Sequence, residues 1–147
     1  MKWLLLFLSC FCLSGCSYLT DFYIFNTSEE LITISYKTKK TEAYHPFVTA
    51  PKIASFKNLK NVGKKETTQV AIEIKDSLNI MVTLQPKQAL WIGVDRNFIL
   101  KNDRQQLEEN LDYLTITQGQ KIIKYSAKDI ASQFDEFTYK IVGIAVE

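Results

Sequence analysis

Apolar and polar residues alternate along much of this chain, with the two-residue period of strands lying over a core. Phe22 to Asn26 and Leu31 to Lys37 flank "TSEE", which predicts a hairpin. Val70, Ile72 and Ile74 alternate with Ala71, Glu73 and Lys75. After a turn at Asp76 and Ser77, Leu78, Ile80, Val82 and Leu84 alternate with Asn79, Met81 and Thr83. "QPKQ" then breaks the chain before Ala89 to Asp95, because proline has no amide hydrogen for a ladder. In "YLTITQGQKIIKYS", Gly119 suits the first central position of a type II′ turn, where φ is positive. Pairing Gln118 with Lys121 sets Ile116 opposite Ile123 and Leu114 opposite Tyr125 on one face. Thr115 then falls opposite Lys124 on the other, so turn chemistry and pattern select one register.

Two stretches switch to helical spacing. "DRQQLEENLDYL" has Asp103 as a cap, Gln106 three residues on, and Leu107, Leu111 and Leu114 along one stripe. "SAKDIASQFDEF" has Ser126 as a cap, Asp129 in the first turn, and Ile130, Phe134 and Phe137 on one side. Phe137 to Val146 ends apolar on both faces, as a buried strand does. About eight short strands and two small helices predict a mainly β fold, an antiparallel β-sandwich. "FYIFNTSEELITISYK" and "VTLQPKQALWIG" resemble the strand, proline turn and strand phrases of immunoglobulin-like envelope modules. That resemblance implies a layered fold and carries no functional residues.

The first sixteen residues read differently. Met1-Lys2 is a short positive start, and Trp3 to Leu13 is apolar apart from Ser9. At about 1.5 Å per helical residue this run falls short of the ~30 Å hydrocarbon core. It has the build of a secretory signal. Cys10, Cys12 and Cys16 hold all three thiols of the chain. A metal site there would need a folded scaffold around deprotonated thiolates, which an apolar eleven-mer does not provide. Cys10 and Cys12 are small apolar residues of the signal. Leu13-Ser14-Gly15-Cys16 resembles the lipobox of bacterial lipoproteins. The resemblance implies a diacylglycerol thioether on Cys16 and cleavage between Gly15 and Cys16, often with acylation of the new amine.

Residues 1–15 are therefore expected as a cleaved signal, 16–21 as a lipidated tether, and 22–147 as one domain. Several acyl chains hold a protein at a membrane effectively permanently. The expected address is the cell envelope. Ser17 is not the aspartate that resembles an inner-membrane retention mark, so the outer membrane is preferred. Removal of the signal leaves 132 residues, enough for a sizeable core, and no thiol but the acylated one.

Charge adds one feature. Lys37 to Lys65 holds eight lysines against Glu42 alone, whereas Glu66 to the end holds nine basic and twelve acidic residues. The lysines either face anionic headgroups beside the anchor or simply keep a loop solvated. Lys57, Lys60, Lys64 and Lys65 are the candidate membrane or partner contacts. No nucleic-acid motif accompanies them, and nucleic acid is not expected as a partner.

Catalytic constellations are thin. His45, the single histidine, precedes Pro46 in the basic block and reads as a surface loop residue. No G-x-S-x-G, S-x-x-K, phosphate-binding loop or calcium loop occurs. Glu108-Glu109 and Asp135-Glu136, read on helices, point about 100° apart within each pair and make a solvated face. No cofactor, metal or enzyme activity is expected; a small hydrolase would need Glu108, Asp112 or Asp129 to converge. Asn26-Thr27-Ser28 matches a glycosylation pattern, but its place in a turn explains the residues. Trp91 is out of phase with Leu90 and Ile92. It sits either on an outer face, as a partner or glycan platform, or in a core covering both sides of its strand. The expected function is a non-catalytic binding module for an envelope protein or polymer. An immunity or inhibitor lipoprotein is the alternative.

Overall fold

The computed structural model describes residues 17–39, 44–65 and 78–147. The fold is a two-layer β-sandwich, mainly antiparallel, as the alternation predicts. One sheet has six strands: β1 (Leu19–Asn26), β3 (Lys52–Asn58), β4 (Asn61–Val62), β6 (Gln88–Arg96), β9 (Asp135–Thr138) and β10 (Ile141–Val146). They lie in the order β4-β3-β6-β1-β10-β9. The second sheet holds β2 (Ile32–Thr38), β5 (Asn79–Leu84), β7 (Leu111–Gln118) and β8 (Lys121–Ser126), in the order β5-β2-β7-β8. The central β1 and β10 pair in parallel, Phe22 against Val142 and Ile24 against Ile144.

Inward residues of both sheets make one core, including Phe22, Ile24, Leu90, Ile92, Ile34, Val82 and Leu114. An aromatic chain ties the layers. The Phe134 ring lies 6.4 Å from Phe22 and 6.2 Å from Phe47, both edge-on, and Phe47 lies 5.5 Å from Tyr36. The outward residues Tyr23 and Phe25 are also buried, in a second cluster with Phe56 and Ala89. Gly143 makes room for it. A Cβ there would sit 2.4 Å from the Tyr23 carbonyl oxygen and 2.9 Å from the Phe25 ring.

The hairpin of β7 and β8 has the predicted register throughout, Gln118 with Lys121 and Ile116 with Ile123, and Gly119 has φ +54°. β5 buries Ile80, Val82 and Leu84 as expected; the partner run Val70–Lys75 lies outside the described residues.

Other expectations need correction. β1 and β2 do not form a hairpin, because the "TSEE" connection carries the chain from one sheet to the other. Asn26 organises that crossing, donating to the Glu30 and Leu84 carbonyls and accepting from the Ser28 amide. Helix α1 spans Leu100–Glu109, four residues earlier than the Asp103 cap implies, with a kink at Asp103. The Asp103 carboxylate still serves the helix start, accepting the Ile99 amide at 2.7 Å. Leu111 and Leu114 leave the helix and pair within β7, where Leu114 faces Tyr36. Helix α2 (Ala127–Ile130) and a 3₁₀ turn (Ala131–Gln133) bury Ile130 and Phe134. Phe137 belongs instead to β9 and packs on Phe25 across the sheet's outer face. Asp135 and Glu136 also lie in β9, both exposed, so the helix assigned to them is replaced by a strand. β1 begins at Leu19, three residues before the expected domain start at 22.

Candidate functional site

β3, β6 and β1 lie side by side, and their register puts Lys52, Trp91 and Tyr23 in one cross-strand row. A bulge between Phe22 and Tyr23 keeps Trp91 on the outer face while Ile92 stays in the core. Trp91 is half-buried against the second apolar cluster. Its indole N–H donates to Asp21 at 2.7 Å, and the Lys65 ammonium donates to the same carboxylate oxygen at 2.6 Å. Lys65 also stands 4.9 Å from the indole centroid and Lys52 5.4 Å. Two ammonium groups over one ring satisfy the attraction of a cation for a π face. The Tyr23 hydroxyl is held well above the ordinary phenol range, chiefly by burial and secondarily by the Asp21 charge.

Trp91 thus lies on the outer face of its sheet, partly buried on the second apolar cluster, held by Asp21 and covered by two lysines. Of the four candidate lysines, only Lys65 joins it. Lys57, Lys60 and Lys64 are exposed, and neither ion pair among the described residues involves them. Position separates them further. Register runs from Leu19 to Phe25 on β1, across Ala89 to Ala54, and on to Asn58. At about 3.3 Å per residue, the β3–β4 turn with Lys57 and Lys60 lies roughly 30 Å along the sheet from the start of β1. Asp21 and Lys52 were not legible as site residues, because strand register alone joins them to Trp91.

His45 is buried, which corrects the surface-loop expectation. Pro46 bridges to Gly93, and the His45 carbonyl lies where a Gly93 Cβ would be, 2.2 Å away; Gly93 has φ +145°. That close approach fixes the 45–48 segment against β6. The neighbouring Asp95 carboxyl is pushed upward by burial, partly offset by the Arg96 amide and by His45. Asp112 pairs with Lys37 at 3.6 Å and Asp129 accepts from the Ser126 hydroxyl at 2.6 Å, so each has its own neighbour. Among the described residues, no group of three metal-ligating side chains occurs. A groove of about 220 Å³ and mixed polarity opens between β8 and the end of β10, lined by Lys121, Ile123, Tyr125, Ile144, Val146 and Glu147 among others. Gly15 and Cys16 lie outside the described residues. No protein-family model, curated protein or solved structure matches this chain.

Proposed function

We propose that this chain is a lipid-anchored bacterial envelope protein whose β-sandwich works as a non-catalytic interaction module. The observation that carries the reading is Leu13-Ser14-Gly15-Cys16 behind a short apolar run with a positive start. Acylation at Cys16 fixes one end of the domain at a membrane, most consistently the outer membrane, since Ser17 follows the cysteine.

The β3–β4 turn, at the far end of the sheet, then points away from the anchor. Its exposed Lys57 and Lys60, with Lys64 on the return, present positive charge to a partner with an anionic surface, an envelope protein or polymer. The rigid Trp91–Asp21–Lys65 network keeps the returning segment in place beneath them.

Two measurements test this. Mass spectrometry of the native product should find an acylated Cys16 as the first residue; a chain beginning at Met1 with a free thiol sinks the anchor. Crosslinking in cells should capture one set of partners with the parent protein and lose it on Lys57→Glu with Lys60→Glu. Identical capture by the two forms removes the distal lysines from the interface.

A further inference from the structure

Seven large hydrophobic side chains stand exposed among the described residues, and four of them gather round the beginning of β1: Leu19 (50% exposed), Tyr44 (49%), Ile99 (46%) and Tyr139 (61%). Contacts from four segments bring them together. The Tyr18 ring meets Tyr139 edge-on at 5.8 Å, and its carbonyl accepts the Asn97 amide just before Ile99. Leu19 pairs with Arg96, whose guanidinium lies 4.2 Å over the Tyr44 ring. The Lys140 ammonium stands 5.2 Å over Tyr139. Aromatic rings next to cations are the side chains that settle at the headgroup level of a bilayer.

We infer that this end of the sandwich, the rim carrying Leu19, Tyr44, Ile99 and Tyr139, lies in the headgroup layer of the membrane that holds the anchor. The inference rests on the acylation of Cys16 proposed above. Three residue steps separate Cys16 from Leu19, and an extended chain covers about 3.5 Å per residue. The tether therefore spans at most about 10 Å, too little to hold the domain clear of the lipid headgroups. Whatever this rim presents must meet them. Charge agrees with that placement. Arg96 and Lys140 stand on the rim, and Lys101 and Arg104 are exposed on the adjoining first turns of α1. Of the carboxylates nearby, Asp95 and Asp103 are turned onto the backbone amides of Arg96 and Ile99, and Asp21 is held by Lys65 and the Trp91 indole. Anionic lipid is attracted to such a rim. The basic block expected to do this work places Lys57 and Lys60 at the opposite end.

The mature domain has no thiol of its own apart from Cys16, so single cysteines can be labelled cleanly. Ile99→Cys, Tyr139→Cys and, as the distal control, Lys60→Cys would each carry an environment-sensitive fluorophore. Each protein would be reconstituted, lipidated, into phosphatidylglycerol-containing vesicles. Labels at 99 and 139 should shift to the blue and be quenched several-fold less by an aqueous quencher than the label at 60. Equal quenching at all three positions, in protein that floats with the vesicles, overturns the docking and leaves the anchor standing. Protein that fails to float brings down the anchor and the docking with it. Arg96→Glu with Lys140→Glu should return the label at 139 to several-fold greater quenching. Unchanged protection would overturn the attraction of this rim for anionic headgroups.

Discussion

Asp21 and Trp91, seventy residues apart in sequence, share a 2.7 Å hydrogen bond across two neighbouring strands, and the same carboxylate oxygen holds Lys65 at 2.6 Å. Trp91 and Trp3 are the two tryptophans, so in protein without its first fifteen residues the emission reports Trp91 alone. Asp21→Ala should shift that emission to the red and open it to quenchers. Stability should fall by on the order of 1–2 kcal/mol, the worth of charge-assisted bonds at a half-buried site. A urea melt gives the second number, and unaltered fluorescence would mean that packing alone holds the ring.

Two glycines should respond very differently to a methyl group. At Gly93 a Cβ meets the His45 carbonyl at 2.2 Å with φ at +145°, so Gly93→Ala should cost about 3 kcal/mol or more. At Gly119 the nearest atom is a Glu30 carboxylate oxygen 3.6 Å away, and only the left-handed φ of +54° resists substitution. Gly119→Ala should therefore cost about 1–2 kcal/mol. Thermal melts followed by circular dichroism separate the two; equal losses would contradict the close approach at Gly93.

Tyr36 donates its hydroxyl to the Val48 carbonyl from within the core, and burial holds its phenol far above the ordinary value of 10.0. Because the folded value is raised, its stabilising contribution is complete below the unfolded value and is lost as pH climbs above it. Stability should hold to about pH 10 and fall beyond. Tyr23, raised for the same reason, adds to the fall. Tyr36→Phe should cost about 1 kcal/mol at neutral pH and flatten the alkaline decline. Urea midpoints measured across the alkaline range read both effects.

Phe134 touches Phe22 of one sheet and Phe47, which packs on Tyr36 of the other. Phe134→Ala removes the ring that joins the layers and should cost about 3–5 kcal/mol. A urea midpoint within experimental scatter of the parent would show that the surrounding side chains collapse into the space.

What the sequence discloses follows from how local each interaction is. The β7–β8 hairpin was readable in full, since Gly119 and the alternation of Ile116, Ile123 and Leu114 act within one short stretch. The supposed β1–β2 hairpin failed because sheet membership is set by distant strands. Its one internal clue is that Phe22, Tyr23, Ile24 and Phe25 are apolar without a break, the composition of a strand covered on both faces. Leu107, Leu111 and Leu114 fit helical spacing. Asn110, buried between them, ends the helix by donating to the Pro46 carbonyl at 2.7 Å. That partner lies far away in sequence. The Trp91 phase was legible, and the carboxylate that locks it was not, because nothing near Trp91 in the chain announces Asp21.

The side-by-side, same-direction pairing of the first strand with the last has a consequence for biogenesis. The centre of the larger sheet cannot close until the final residues have been synthesised, because β10 supplies one flank of β1. Contacts of such long sequence separation form slowly and late. Until β10 is made, β1 has β6 as its one partner in the sheet, and the larger sheet stays incomplete. Loss of Ile141–Val146 would leave the opening strand with β6 as its one neighbour and no finished sheet.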